Sequence, residues 1–507
     1  MNSPNRLIYI PEPQLCFGFE QQLDFSKDGL MLFGPLDGPD RPRSLRIGLV
    51  GSPKGIERYK KWVKSINHYI PSANVDATHH TPFPGFEAIF GAKWPVEPVC
   101  TIKITEKKIL ENIRIKDRYQ AIYNTVSLYE NEIRRHLREE ESSVDIWFVV
   151  VPEEVYKYGR PKSSVPTSIA QPSPILMNEK QARILETQFS LFEEDHQHAE
   201  IYKYELNFHN QLKARLLDTK EVVQVVRETT LAPDDFVINN RQIRQIQDPA
   251  SVAWNLCTTA YFKSSGRPWR LANVREGVCY VGLVFKKDMT SKDPGNACCG
   301  AQMFLDSGDG LVFKGAMGPW YSETSKEFHL PFKDAKQLAE MIVNAYERSH
   351  GEPPKELFIH GKTKINQDEW EGFQAGVSNH TNVVSIRIRN DGLFKLYSSG
   401  TRPVARGIAL LANQRKGYLW TKGYIPRLMT YPGREVPRPL SIEICYGKAE
   451  LELVMEDILG LTKVNFNACV YADGEPVTLR FADQVGEILT ATPMAHELPP
   501  LPFKHYI

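Results

Sequence analysis

The chain is predicted to be an α/β protein of two successive domains, on the strength of two observations. In the first half, near-continuous apolar runs such as Ile146–Val151 alternate with amphipathic helical stretches, the pattern of parallel strands buried on both faces. In the second half, three strand-like segments follow one another closely and precede a helix and a fourth strand. The 507 residues, with 42% hydrophobic, 24% charged and 10% aromatic side chains, have ordinary globular composition and length for more than one core. The formal net charge of +1 leaves the class of partner open, because a basic groove can be offset by acidic surface elsewhere.

Residues 1–42 read as a lead-in segment packing on both domains, and 43–255 as the first domain. "RSLRIGLVG" (Arg43 to Gly51) is a buried strand ending in a turn, followed by a helix through "IERYKKWVKSI". A second helix runs from Lys116 to Glu139 and leads into "SVDIWFVVVPEEV". "KQARILETQFSLFEE" adds a helix, and "NFHNQLKARLLDTKEVVQVV" a helix and then a strand. This is a Rossmann-like order. The second domain is read as 256–507, its first strands coming after a helix that stops at Ser-Ser-Gly-Arg-Pro. Its strands are Gly277–Lys286, Cys299–Asp306 and Leu311–Met317, the last two joined by "SGDG", a hairpin turn. The helix "DAKQLAEMIVNAYERS" and the strand "ELFIH" complete the opening order of an RNase H-type domain. In that fold, carboxylates on the first and fourth strands hold the metal ions for phosphodiester cleavage.

Gly361-Lys362-Thr363 resembles the tail of a phosphate-binding P-loop. That motif needs glycine five residues before Gly361, where Glu356 stands, and a loop where "LFIH" forms a strand. The P-loop reading therefore fails, and Glu356 argues against an NTPase. The eight cysteines contain no C-x-x-C pair and read as reduced, mostly buried thiols. "THH" (His79, His80) and "DHQH" (His196, His198) lack a matching ligand cluster and read as surface loops. No apolar run approaches the ~20 residues of a membrane span, and no signal-peptide core is present, so a cytoplasmic protein is expected.

With its segments in this order, the chain resembles a prokaryotic Argonaute along nearly its whole length, as MID and PIWI domains only. "WNLCTTAYFKSSGRPWRL" is similar to the helix joining MID to PIWI, which ends in Lys-x-Gly-Gly-x-Pro-Trp in the family. "EVPRPLSIEI", "LTKVNFNACVYADGEPVTLRFADQVGEI" and "LPPLPFKHYI" are similar to the end of PIWI. There is no room for N-terminal and PAZ domains, so the resemblance is to the short prokaryotic branch.

The resemblance implies that the MID domain holds the 5′-phosphate of a guide strand. "HNQLK" places His209 and Lys213 at the family's first two positions, on one helix face. Gln224 matches the family glutamine and Lys263 the lysine of the joining helix. Thr259 stands where another lysine is frequent, and a Mg²⁺ at the phosphate makes up the missing charge. The metal ligands so implied are Gln224 and the C-terminal carboxylate of Ile507.

In PIWI, the first catalytic aspartate corresponds to Val284, the second to Lys362, and the last tetrad position to Asp483, which is retained. The glutamate position falls between Gly315 and Glu327. Two-metal cleavage needs closely spaced carboxylates, so this fold is expected to lack nuclease activity. Arg387, Arg389, Lys395, Arg402, Arg406, Arg415 and Lys416 are candidates for tracking a nucleic-acid backbone.

An inactive short Argonaute resembles the sensing half of a two-protein prokaryotic immune system. The implied partners are a 5′-phosphorylated guide RNA, a single-stranded DNA target and a separate APAZ-containing effector. A TIR-APAZ protein is preferred over a sirtuin-like one, in a heterodimer that oligomerises on target binding. Any NAD hydrolysis then belongs to the partner chain. The alternatives are an active guide-dependent nuclease and a stand-alone nucleic-acid-binding regulator.

Overall fold

The structure, a computed structural model, describes residues 5–73, 80–140, 143–185, 192–238, 241–245, 247–287, 296–304, 310–319, 321–322, 326–431, 433, 435–493 and 501–507. An N-terminal strand, β1 (Arg6–Tyr9), precedes the first domain. That domain is built on four parallel strands, β2 (Ile47–Gly51), β3 (Cys100–Lys103), β4 (Ile146–Val151) and β5 (Val223–Arg227), in the order β3-β2-β4-β5. Every residue of β2 and β4 is buried, as a doubly covered parallel sheet requires. Neighbours in β2 point to opposite layers: Leu49 faces the core shared with the second domain, and Val50 faces a separate core under the outer helices.

Local sequence sets the helix starts. Helix α1 (Pro53–Ile66) has Pro53 in its first turn and is capped by Ser52, whose Oγ accepts from the Gly55 N–H at 2.9 Å. Helix α2 (Arg118–Glu139) is capped by Asp117. Helix α3 (Phe208–Leu216) begins at Asn207, whose side chain accepts from the His209 N–H at 3.1 Å. Helix α4 (Pro249–Lys263) is capped by Asp248 and carries the chain into the second domain.

The second domain centres on a ten-stranded mixed sheet. Its strands are β6 (Val278–Lys287), β7 (Asn296–Phe304), β8 (Gly310–Pro319), β9 (Glu356–Gly361), β10 (Asn382–Asn390), β11 (Ile408–Leu411), β12 (Lys416–Leu419), β13 (Leu440–Tyr446) and β14 (Leu501–Pro502), together with β1. The order is β1-β11-β12-β13-β10-β9-β6-β7-β8-β14. Strands β6 to β8 form the expected antiparallel meander, and β9 returns parallel to β6 through helix α5 (Phe332–His350). Helix α6 (Gln367–Ala375) opens with a capping box formed by Asn366 and Glu369. Helices α5 and α6 cover one face of this sheet. The other face, with helices α7 (Leu451–Leu461) and α8 (Val477–Leu489), merges with the core under β2 and β4. Gly282 of β6 is required there: a Cβ would lie 1.8 Å from the Thr478 carbonyl oxygen, so its absence lets α8 cross directly over the strand.

The lead-in is stitched to the second domain. Strand β1 pairs antiparallel with β11, and Glu12 accepts from Arg406 Nε at 2.9 Å and Lys463 Nζ at 2.7 Å. Two sequence expectations change. His196 and His198 lie in a helix, Glu193–Glu200, rather than a loop; three acidic residues occupy its first turn, where the helix dipole favours them, and Ala199 is its buried residue. The helix predicted through "KQARILETQFSLFEE" is helical over Glu179–Leu185 and again from Glu193, with 186–191 outside the described residues. Residues 307–309 of the "SGDG" turn, the Cys298 and Cys299 side chains and His79 also lie outside them. Among the described residues no helix is long and apolar enough to cross a membrane.

Candidate nucleic-acid interface

The four residues expected to bind phosphate come from three elements and converge. His209 and Lys213 stand one turn apart on α3, Gln224 lies on β5, and Lys263 is the last residue of α4. Lys263 Nζ donates to Gln224 Oε1 at 2.7 Å and to the Val223 carbonyl at 3.0 Å. Lys213 Nζ donates to the Tyr506 carbonyl at 3.4 Å, placing it beside the C-terminus. Strand β14 pairs with β8, and Phe503 then packs on Phe481 with ring centroids 4.3 Å apart. Ile507 is thereby buried against the cluster's surroundings, and the tail is docked.

The electrostatics of this cluster are unusual. Lys213 is 3% exposed and Lys263 1%, and the described bonds of both ammoniums go to neutral oxygens. Burial brings Lys213 down to about 7, and burial together with the Lys213 charge holds Lys263 well below the usual lysine range. His209 is open to solvent on one side. Desolvation of the ring and then the Lys213 charge push its imidazole down, so it is neutral at pH 7. Neutral ring, amide and two costly cations make a receptor for an anion. For a divalent cation the available oxygens are Gln224 Oε1 and the Ile507 terminal carboxylate; the other ligands a hard ion needs would come from the anion and water. Among the described residues no group of three or more His, Cys, Asp or Glu is arranged to hold a metal.

His209 also lines a cavity of about 540 Å³ at the carboxyl ends of β4 and β5, where open α/β sheets place ligands. Its rim carries cations that sequence reading missed. Tyr156 is sandwiched between Arg160 and Arg227, whose guanidinium carbons lie 3.3 and 3.7 Å from the ring centroid. Arg227 follows "VVQVV" at the strand end, which is the signal that marks it.

In the second domain the parallel register pairs Leu283 with Gly361, so Val284 within β6 and Lys362, just past the end of β9, follow side by side. Val284 is buried. Helix α8 sets Asp483 over this point, where its carboxylate accepts from Lys362 Nζ and faces Lys286 Nζ at 3.5 Å. Lys286 was missed by the sequence reading. It lies two residues beyond Val284 and so shares its strand face. Asp288, and most of the window for the tetrad glutamate, lie outside the described side chains; Glu327, at its end, pairs with Arg389 at 3.4 Å.

The proposed backbone-tracking cations divide. Lys395 and Arg402 are exposed, the latter 4.8 Å over the Tyr424 ring, and Arg389 is half-exposed. Lys416 lies 5.8 Å over Tyr418, and Arg387 is tied to Glu443 at 2.6 Å. Arg415 donates to the Ile444 carbonyl at 3.0 Å and the Gly447 carbonyl at 3.2 Å. Arg406 must be withdrawn: it is 3% exposed, paired with Glu12 and bonded to the Thr421 and Leu459 carbonyls, so it fastens the lead-in and reaches no ligand.

No family model matches the sequence, and neither does any curated protein. Solved structures do share the fold. The chain is similar to Clostridium butyricum Argonaute bound to a guide DNA with a 5′ deoxycytidine and a 19-mer target DNA. The TM-score is 0.61 at 14% identity, with 97% of this chain and 54% of that one covered. It is also similar to Aa-Ago, crystallised with externally bound siRNA, with a TM-score of 0.55, 14% identity and 98% and 56% coverage. The fold is Argonaute-like, a MID-type domain joined to a PIWI-type domain. The chain spans about half the length of either structure.

Proposed function

We propose that the protein is a guide-dependent nucleic-acid sensor of a prokaryotic immune system. It binds a 5′-phosphorylated guide RNA through His209, Lys213, Gln224 and Lys263, and pairs it with a single-stranded DNA target that it does not cut. Target recognition then activates a separate APAZ-containing effector, a TIR-type NADase by preference, in a heterodimer that oligomerises.

The observation that carries this reading is the convergence of two buried lysines on neutral acceptors beside the docked C-terminus. Such burial is costly for a cation and is offset when a phosphate enters. Each lysine would bring charge-assisted donors, His209 a neutral ring face, and α3 its positive N-terminal end. A Mg²⁺ held by Gln224, the Ile507 carboxylate and the phosphate would add the charge that Thr259 lacks. Gln224 would then release Lys263 Nζ to the phosphate. Absence of cleavage is supported by Val284 and Lys362 at two carboxylate positions and by ammonium groups on the remaining Asp483. The guide and target nucleic acids of the Argonaute structures that share the fold support a nucleic-acid ligand.

The test is recovery of the protein from its native host. Short 5′-phosphorylated RNAs and a stoichiometric APAZ-containing protein are expected to copurify. Absence of both sinks the reading, target cleavage by the purified chain with Mg²⁺ or Mn²⁺ replaces it with an active nuclease, and RNA without a partner protein leaves a stand-alone regulator. His209→Ala with Lys213→Ala is expected to remove the RNA while the fold is retained.

A further inference from the structure

The degenerate cleavage position is more than an empty remnant. Lys362 follows the carboxyl end of β9, beside Val284 of β6, on the side at which α/β sheets receive ligands. Its ammonium is fixed from behind by Asp483, and Lys286 flanks the same carboxylate at 3.5 Å. Two ammoniums here meet two carboxylates, Asp483 and Glu487, so the group is neutral overall and what it offers a ligand is a positioned ammonium. Lys286 is further steadied by Glu487 at 3.3 Å.

Lys362 is also open on the far side. Its side chain is 42% exposed and lines a cavity of about 310 Å³ with Arg389 and Asn390. Of the nearby acids, Glu327 pairs with Arg389 at 3.4 Å, while Glu475 lines the cavity itself, accepts from the Asn390 amide at 2.6 Å and keeps its charge. An ammonium has three N–H donors, and the bond to Asp483 uses one.

We propose that Lys362, positioned by Asp483 and supported by Lys286, binds one backbone phosphodiester of the nucleic-acid duplex lying across this side of β6 and β9. This inference rests on the guide-dependent reading above for the presence of that duplex. The carboxylate–ammonium–phosphate bridge reproduces the order carboxylate–metal–phosphate of a cleaving site. Its chemistry differs in one respect. An ammonium supplies charge and N–H donors, but no coordination position on which a water could be deprotonated, so the phosphodiester is gripped and left whole. A vanished aspartate thereby becomes a contact that fixes where the duplex sits.

The test uses the full chain loaded with a 5′-phosphorylated guide. Complementary targets carry a single neutral methylphosphonate at each backbone position in turn, and Kd is measured for the wild type and for Lys362→Gln. One position is expected to cost the wild type about tenfold, the scale of a charge-assisted bond. At that same position the variant should lose nothing further, while every other position costs both proteins alike. The salt slope of Lys362→Gln is expected to fall by about 0.9, the value for one phosphate contact. Additive losses at all positions, or unchanged affinity in Lys362→Gln, overturn the site while leaving guide loading intact. If the wild type fails to take up phosphorylated guide at all, the functional reading falls first and the site with it.

Discussion

The two lysine clusters of this molecule handle charge in opposite ways. Lys213 and Lys263 are buried and bonded only to neutral oxygens in the described structure, whereas Lys362 and Lys286 are partly exposed and share the Asp483 carboxylate. A compensated pair near solvent costs little and contributes little. Burying uncompensated ammonium groups is unfavourable, and natural sequences retain such groups where a ligand repays the cost. The first cluster therefore reads as a site whose stability depends on occupancy. The second is already neutralised and can only add a contact to a complex held elsewhere.

Lys263→Met tests this difference most severely. The free protein should become more stable, with a raised Tm by calorimetry, because a buried charge is replaced by an apolar chain of similar length. At the same time, preference for a 5′-phosphate over a 5′-hydroxyl guide should fall by about a hundredfold, the loss of a strong charge-assisted bond. A variant that loses stability and keeps its preference would show Lys263 to be an ordinary structural residue.

A smaller effect is expected from pH. Lys213 titrates at about 7 in the folded chain and near 10.5 when unfolded, so above pH 7 the unfolded state binds more protons. The cost of its buried charge is fully present below pH 7 and is relieved as pH rises from about 7 towards 10.5, so this group makes the guide-free chain more stable across that window. Guide binding needs the ammonium and runs the other way. The Kd for a 5′-phosphorylated guide should rise above pH 7 by about tenfold per pH unit for each lysine that must take up a proton, while that for a 5′-hydroxyl guide stays flat. Parallel curves for the two guides would remove Lys213 from the site.

Legibility in the sequence followed the range of the interactions. The succession of strands and helices and the joining helix were readable because apolar periodicity is local, and the i, i+4 spacing of His209 and Lys213 put those two on one helix face; a phosphate role for the four residues was implied by the family resemblance alone. Lys286 was missed by scanning along the chain for a carboxylate, when the relevant geometry was the strand face it shares with Val284. Arg406 was misplaced for a different reason. It sits in a Gly- and Pro-containing turn that looks solvated, but its partner Glu12 lies 394 residues away, and no local pattern announces that pairing. The Tyr156 sandwich unites residues of two segments and was equally invisible.

Arg406 and Lys463 supply the case between the two clusters, cations that are buried yet compensated. Burial alone would raise the Glu12 carboxyl, but the two neighbouring cations overcome it and hold the group below the usual carboxylate range. Glu12→Gln leaves both cations without their counter-charge and should cost about 3 kcal/mol in chemical denaturation, the scale for breaking a buried ion pair. Lys362→Ala, judged by the same assay without nucleic acid, should change stability by less than about 0.5 kcal/mol, since its pair is partly exposed. Equal losses in the two variants would mean that the Lys362–Asp483 pair is a structural staple. In that event its place beside β6 and β9 would owe more to holding α8 on the sheet than to any phosphate.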